Sequence, residues 1–165
     1  MISAKYNHDE IGFMSGIKYL ETEEDMLRKA EQGGAWAQIN LYHCYCLGSP
    51  HLPKNGKKAV EWLTKAAKQG YARAMFMIAR GYEDSCFCYN EARDREKANE
   101  WYAISAEQGD AEAQYIFATR FLNEQDFSKD ERKALEWLGR AAAQGYHKAI
   151  EMIKDIKAGK PIMSF

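Results

Sequence analysis

The sequence predicts one all-α domain, a solenoid of stacked helix pairs with about three and a half to four repeats. Three observations carry that expectation. First, the phrase K-A-x-E-W-x-x-x-x-A-x-Q-G occurs three times: Lys58 to Gly70, Lys97 to Gly109 and Lys133 to Gly145. These glycines recur at 39 and 36 residues, and a degraded fourth copy ends at Gln32-Gly33, 37 residues before Gly70. Self-similarity at such a period marks units that bury their apolar faces only against their neighbours. Second, apolar residues recur three and four apart, which is the helical period. Third, strand-like alternation is absent, and only three prolines occur, two of them (Pro50 and Pro53) in one loop.

Residues 1–32 are expected to form irregular capping helices over 9–20 and 22–32, because the position equivalent to the repeated Trp is Asp25. Full repeats follow at 33–69, 70–108 and 109–144. The first helix of each unit starts just after the glycine: Ala35 to Leu47, Ala72 to Asp84, Ala111 to Asn123, then His147 to Lys157. Counting from each glycine, the fourth residue is always Ala (Ala37, Ala74, Ala113, Ala149) and the eighth is large and apolar (Leu41, Ile78, Phe117, Ile153). The twelfth is aromatic in complete units (Tyr45, Tyr82, Phe121). Residues spaced in this way share one helix face, and the small Ala lets a neighbouring helix approach closely.

The second helices are expected at roughly 56–69, 94–108 and 130–144, with Ala59, Trp62, Leu63 and Ala66 as the apolar stripe of the first. Each ends at Gly, the residue suited to the left-handed turn that closes a helix. Asp110 and Asp130 stand where a helix N-cap is needed. Residues 145–165 supply a last capping helix, a Gly159…Pro161 stop and an apolar tail. Terminal units of a stack are expected to be atypical because they face solvent on one side.

Composition narrows the function. A hydrophobic fraction of 46% is too high for disorder. Net charge is −1 and the pI about 6.4, and acidic and basic residues interleave, as in Asp94-Arg95-Glu96-Lys97. That argues against a nucleic-acid binder, which needs a clustered basic face. No secretory leader and no membrane span are legible, so the expected location is the cytoplasm.

The pattern G-x-x-x-A-x-x-x-[large apolar]-x-x-x-Y followed by K-A-x-x-W-x-x-x-A-A-x-x-G resembles the Sel-one-like repeat, a relative of the tetratricopeptide repeat. The resemblance spans residues 33–153 and is cleanest over 70–149. It implies a right-handed superhelix of antiparallel helix pairs, with each first helix lining the concave side. It also implies a scaffold, regulator or host-interaction role, including in some bacterial systems immunity against secreted toxins. Tyr42 departs from the pattern, standing where Ala79 and Ala118 keep the helix contact tight, and the 85–95 loop is longer than its counterpart. A different packing of the first pair is the expectation.

Four cysteines form two Cys-x-Cys pairs, Cys44/Cys46 and Cys86/Cys88. Some secreted relatives staple the two helices of a unit with a disulfide, but no Cys lies on a Trp helix here. Two residues apart on a helix, Cys44 and Cys46 diverge, and zinc sites prefer Cys-x-x-Cys. Reduced, partly buried thiols are therefore expected, with a metal site near His43 and His51 or a redox pair as alternatives. No nucleophile elbow, phosphate loop or H-E-x-x-H is present, so no catalytic residue and no cofactor is assigned.

Trp62, Trp101 and Trp137 hold repeat-fixed positions and are expected in the core. Trp36 lies outside the phrase. By resemblance to tetratricopeptide helices, the third, sixth and tenth residues after each glycine should face the groove. They are Trp36, Ile39 and His43; Arg73, Phe76 and Arg80; and Glu112, Tyr115 and Thr119. Aromatics flanked by arginines suit a protein-binding hot spot, although Ile39, Phe76 and Tyr115 could equally fill space between first helices. The expected function is thus a non-enzymatic, monomeric module that binds one partner protein in its concave groove. An adaptor or an immunity protein against a toxin or effector is the specific version. The alternatives are a small-molecule-binding or hydrolytic enzyme of the cysteine-rich repeat type, and a metal- or redox-responsive regulator using Cys44, Cys46, Cys86 and Cys88.

Overall fold

Eight helices follow one another along residues 22–49, 51–84, 93–123 and 130–160, the parts of the chain that the computed structural model describes. They are α1 (Glu23–Glu31), α2 (Ala35–Leu47), α3 (Gly56–Lys68), α4 (Ala72–Asp84), α5 (Arg95–Glu107), α6 (Ala111–Leu122), α7 (Glu131–Ala143) and α8 (His147–Lys157). Each packs against the helix before and after it, which makes an α/α solenoid. The sequence-derived helix bounds agree within a residue or two at each end. The helix expected over 9–20, Cys86/Cys88 and the 161–165 tail lie outside the described residues.

Local chemistry explains the starts and stops. Thr22, Asn55, Asp94, Asp110 and Asp130 each accept the amide N–H three residues on, satisfying a donor that the first helical turn leaves open. At the other end, Gly33, Gly70, Gly109 and Gly145 adopt φ of 93°, 86°, 98° and 83°. A side chain would strain that conformation. The turn closes with paired bonds, as where Gly70 N–H reaches Ala67 O and Tyr71 N–H reaches Ala66 O.

The core sets one expectation aside. Trp62, Trp101 and Trp137 are only half-buried. Lys65 Nζ lies 3.8 Å from the Trp62 ring centroid, and the Arg140 guanidinium 4.2 Å from that of Trp137. The innermost residues are one position further on: Leu63, Tyr102 and Leu138, with Ala59, Ala98 and Ala134, are fully enclosed. A Trp at the helix flank can touch two units at once, and Trp101 packs against the clusters around both Leu63 and Tyr102. The indoles seal the joints between units, and the smaller side chains fill the centre. Tyr42 is half-buried between the first two clusters, with its ring 5.2 Å from that of His43.

Buried glutamines tie neighbouring helices in two of the units. Gln38 donates to Ala30 O and accepts from Gln69; Gln114 donates to Ala106 O and accepts from Gln144. In the middle unit the equivalent position is Met75, and Ser105 Oγ donates instead to Ala72 O across 2.7 Å.

The cysteines correct a second expectation. Cys44 is a free, half-buried thiol, and its burial pushes its pKa up. Cys46 is disulfide-bonded. The lack of cysteine on the Trp helices rules out only a staple within a unit. It leaves the last turn of α2 able to bond elsewhere in the chain.

Candidate partner-binding face

The first helices α2, α4 and α6 stand side by side, and their side chains join across the units. Arg73 of α4 shows this most directly. Its Nη1 lies 2.7 Å from Glu112 Oε2 of α6 and 3.7 Å from Asp110 Oδ2, while its guanidinium sits 4.5 Å above the Phe76 ring. Asp110 is simultaneously the N-cap of α6, accepting Ala113 N–H at 2.8 Å. Burial raises the Asp110 pKa, against the lowering pull of that amide and of Arg73. Further along the same two helices, Glu83 accepts from Tyr102 Oη at 2.6 Å and pairs with Arg120, whose guanidinium lies 5.6 Å from the Tyr102 ring. Burial and the Glu83 carboxylate hold the Tyr102 hydroxyl protonated, with its pKa pushed well up.

The structure divides the nine candidate residues. Ile39 and Phe76 are 3% and 2% exposed and act as spacers between helices. Tyr115 is half-buried, its ring 5.4 Å from that of Tyr146. Thr119 returns its hydroxyl to Ile116 O at 2.6 Å, so its donor is spent within the helix. Arg80 forks onto Asp84 of its own helix at 2.9 and 3.0 Å and stays exposed. His43 is exposed, yet desolvation by its neighbours, followed by the Arg73 charge, lowers its pKa. Trp36 is 40% exposed. At its place the other units carry Arg73, Glu112 and Lys148.

Sequence reasoning read Asp110 only as a helix cap and assigned no role to Tyr71 or Tyr146. Tyr71, Asp110 and Tyr146 each directly follow a repeat glycine, and two of them contact the candidate residues. Tyr71 is 46% exposed. The signal was the position itself, which varies from unit to unit where the core positions do not. Among the described residues no three His, Cys, Asp or Glu side chains converge as metal ligands, and no helix is long and apolar enough to cross a membrane.

A face assembled from one or two side chains per unit is an extended surface. Helix pairs that pack only on their neighbours in sequence define the class of α/α repeat solenoids. The chain belongs to the Sel1 repeat family, whose model matches residues 37–71, 72–110 and 111–146. Solenoids of this family are generally protein–protein interaction modules. Its right-handed α/α architecture is similar to that of a Sel1 repeat protein from Oxalobacter formigenes, at 30% identity and TM-score 0.72 over 80% of this chain and 96% of that one. It is also similar to c5321, a protective antigen of uropathogenic Escherichia coli with the same fold, at 28% identity and TM-score 0.65. That match covers 75% of this chain and 26% of the antigen. Helicobacter pylori cysteine rich protein B shares the fold at 18% identity and TM-score 0.58, over 79% of this chain and 96% of that one. No curated protein matches the chain.

Proposed function

We propose that the protein is a non-enzymatic binding module that holds one partner protein along the face of α2, α4 and α6, the concave groove of the solenoid. The observation that carries this reading is Trp36. A large aromatic ring stands 40% exposed on that face, where each equivalent position is charged. Exposed tryptophan is costly in water and is the residue type most enriched in binding hot spots. The Arg73–Glu112–Asp110 cluster on α4 and α6 is already ordered, so a partner meeting it loses little side-chain entropy on docking. An adaptor, or an inhibitor of a toxin or effector, is the specific form of this reading. The Cys46 disulfide fits an oxidising compartment better than the cytoplasm expected from the sequence.

Arg80 makes the better companion for Trp36 in a test, because its ion pair lies within one helix and is worth only about 0.3–0.5 kcal/mol. Arg73 bridges two units and would disturb the fold. The test captures partners from the native host with the wild-type chain, identifies them, and repeats the binding with Trp36→Ala/Arg80→Ala. Loss of the partner with unchanged helical signal and melting midpoint is the expected result. Retained binding would refute the assignment of this face.

A further inference from the structure

The outer face of α3 differs from the equivalent faces of α5 and α7 in a way that the groove does not explain. Lys57, Lys58, Lys65 and Lys68 are all exposed on the side of α3 opposite buried Ala59, Leu63 and Ala66, with Glu61 as the one acidic residue among them. None of the four forms an ion pair among the described residues. Lys58 and Lys65 rest instead over the rings of Tyr45 and Trp62. In α5 the same positions read Glu96, Lys97, Ile104 and Glu107, with Glu100. In α7 they read Arg132, Lys133, Arg140 and Ala143, with Glu136.

The difference extends to the cap. Lys97 and Lys133 pair with the N-cap carboxylates Asp94 and Asp130 at 3.3 and 3.5 Å, and Arg140 pairs with Glu136 at 2.7 Å. The α3 cap is Asn55, which supplies the hydrogen bond to Lys58 N–H without the charge. No acidic residue occupies the first turn of α3, and two lysines stand there against the positive end of the helix dipole. Lys65 and Lys68, three apart, repel one another, while their place in the last turn suits the negative end of the dipole. Lys57 and Lys58 stand at the helix N-terminus without the acidic neighbours that Asp94 and Glu96 give α5 and that Asp130 and Glu131 give α7. A first-turn lysine pair left without a carboxylate in one copy of a repeat, where the other copies supply one, points to a site.

We propose that the outer face of α3 is a second docking surface, which takes an acidic segment of a protein about one helix wide. The occupant follows from the neighbours. Trp101 of α5 packs against the cluster that holds Leu63, Ala66 and Ala67 of α3, so α5 is the next helix over. Its outer face is acidic, with Glu96, Glu100 and Glu107. A nucleic acid or an anionic bilayer spreads beyond one helix and meets that repulsion. A narrow acidic protein segment does not. The cations of α3 are moreover all lysine, without the arginine fork that suits phosphate.

The test titrates the isotope-labelled protein with a synthetic helical peptide bearing glutamate along one face, followed by amide resonances. Shifts confined to Lys57–Lys68 are expected, with affinity falling about tenfold between about 50 and 200 mM salt. Lys57→Glu/Lys68→Glu copies the α5 pattern and should weaken binding at least about tenfold, and Lys57→Glu alone should raise the melting midpoint, since glutamate suits the first helical turn. Lys57→Gln/Lys68→Gln gives the same direction of loss should the reversal disturb folding. Trp36→Ala/Arg80→Ala should bind the peptide as wild type does, which separates this surface from the groove. Undiminished binding by the lysine variants, shifts on α2, α4 and α6, or equal affinity for duplex DNA or phosphatidylserine vesicles would each overturn the proposal.

Discussion

Removing the glutamine pair between α6 and α7 tests how the units are joined. Gln114 is 5% exposed and makes two bonds: Nε2 to Ala106 O at 3.0 Å, and Oε1 from Gln144 Nε2 at 2.9 Å. Gly109 N–H also donates to Ala106 O, so Gln114→Ala does not orphan that carbonyl. The loss is therefore near the net value of two hydrogen bonds, about 1–3 kcal/mol, and not the larger penalty of a buried unpaired group. For a chain of this length that corresponds to a melting midpoint lower by about 2–12 °C. Gln144→Ala should cost less, because Gln144 is exposed and its bond to Gly109 O is replaceable by water. The decisive quantity is the coupling from a double-mutant cycle followed by circular dichroism during urea unfolding. A shared bond predicts about 0.5–1.5 kcal/mol of coupling. Coupling below about 0.3 kcal/mol would refute the view that these glutamines lock neighbouring units together.

Two further predictions concern titration and thiols. The His43 pKa is lowered from 6.5 in the folded chain, so its contribution to stability is complete above that value and is lost as pH falls through the depressed one. The wild-type melting midpoint should therefore fall more between about pH 7.5 and 5 than that of His43→Gln; equal falls would show that the imbalance is absent. The Cys46 disulfide takes two of the four cysteines, so alkylation of denatured, unreduced protein should label two thiols. Labelling of all four would return the reduced state expected from the sequence.

The helix pairs were legible because the repeat writes its own punctuation. A left-handed turn needs glycine, a capped helix start needs a short oxygen-bearing side chain, and both recur at fixed spacing, as at Gly109-Asp110. The candidate face was legible only in part. Spacing placed Trp36, Arg73 and Arg80 on the first helices, but not which side chains were already engaged. Whether Arg73 is free or bound to Glu112 depends on the distance between two helices 39 residues apart in sequence, and helical period carries no such information. The disulfide at Cys46 was hidden for the same reason, since a sulfur–sulfur bond depends on which turns are brought together.

The sequence by itself determined that this chain is a stack of Sel1-type helix pairs, because hydrogen-bond caps, glycine turns and apolar period act over a few residues. Only the tertiary structure decided the burial of each aromatic. It put Leu63, Tyr102 and Leu138 inside and left the neighbouring Trp at the joint, since the inward direction of a helix is set by what packs on either side. It also separated spacers from surface among the nine candidates, leaving Trp36 and Arg80 outward while Ile39 and Phe76 closed the gap between first helices.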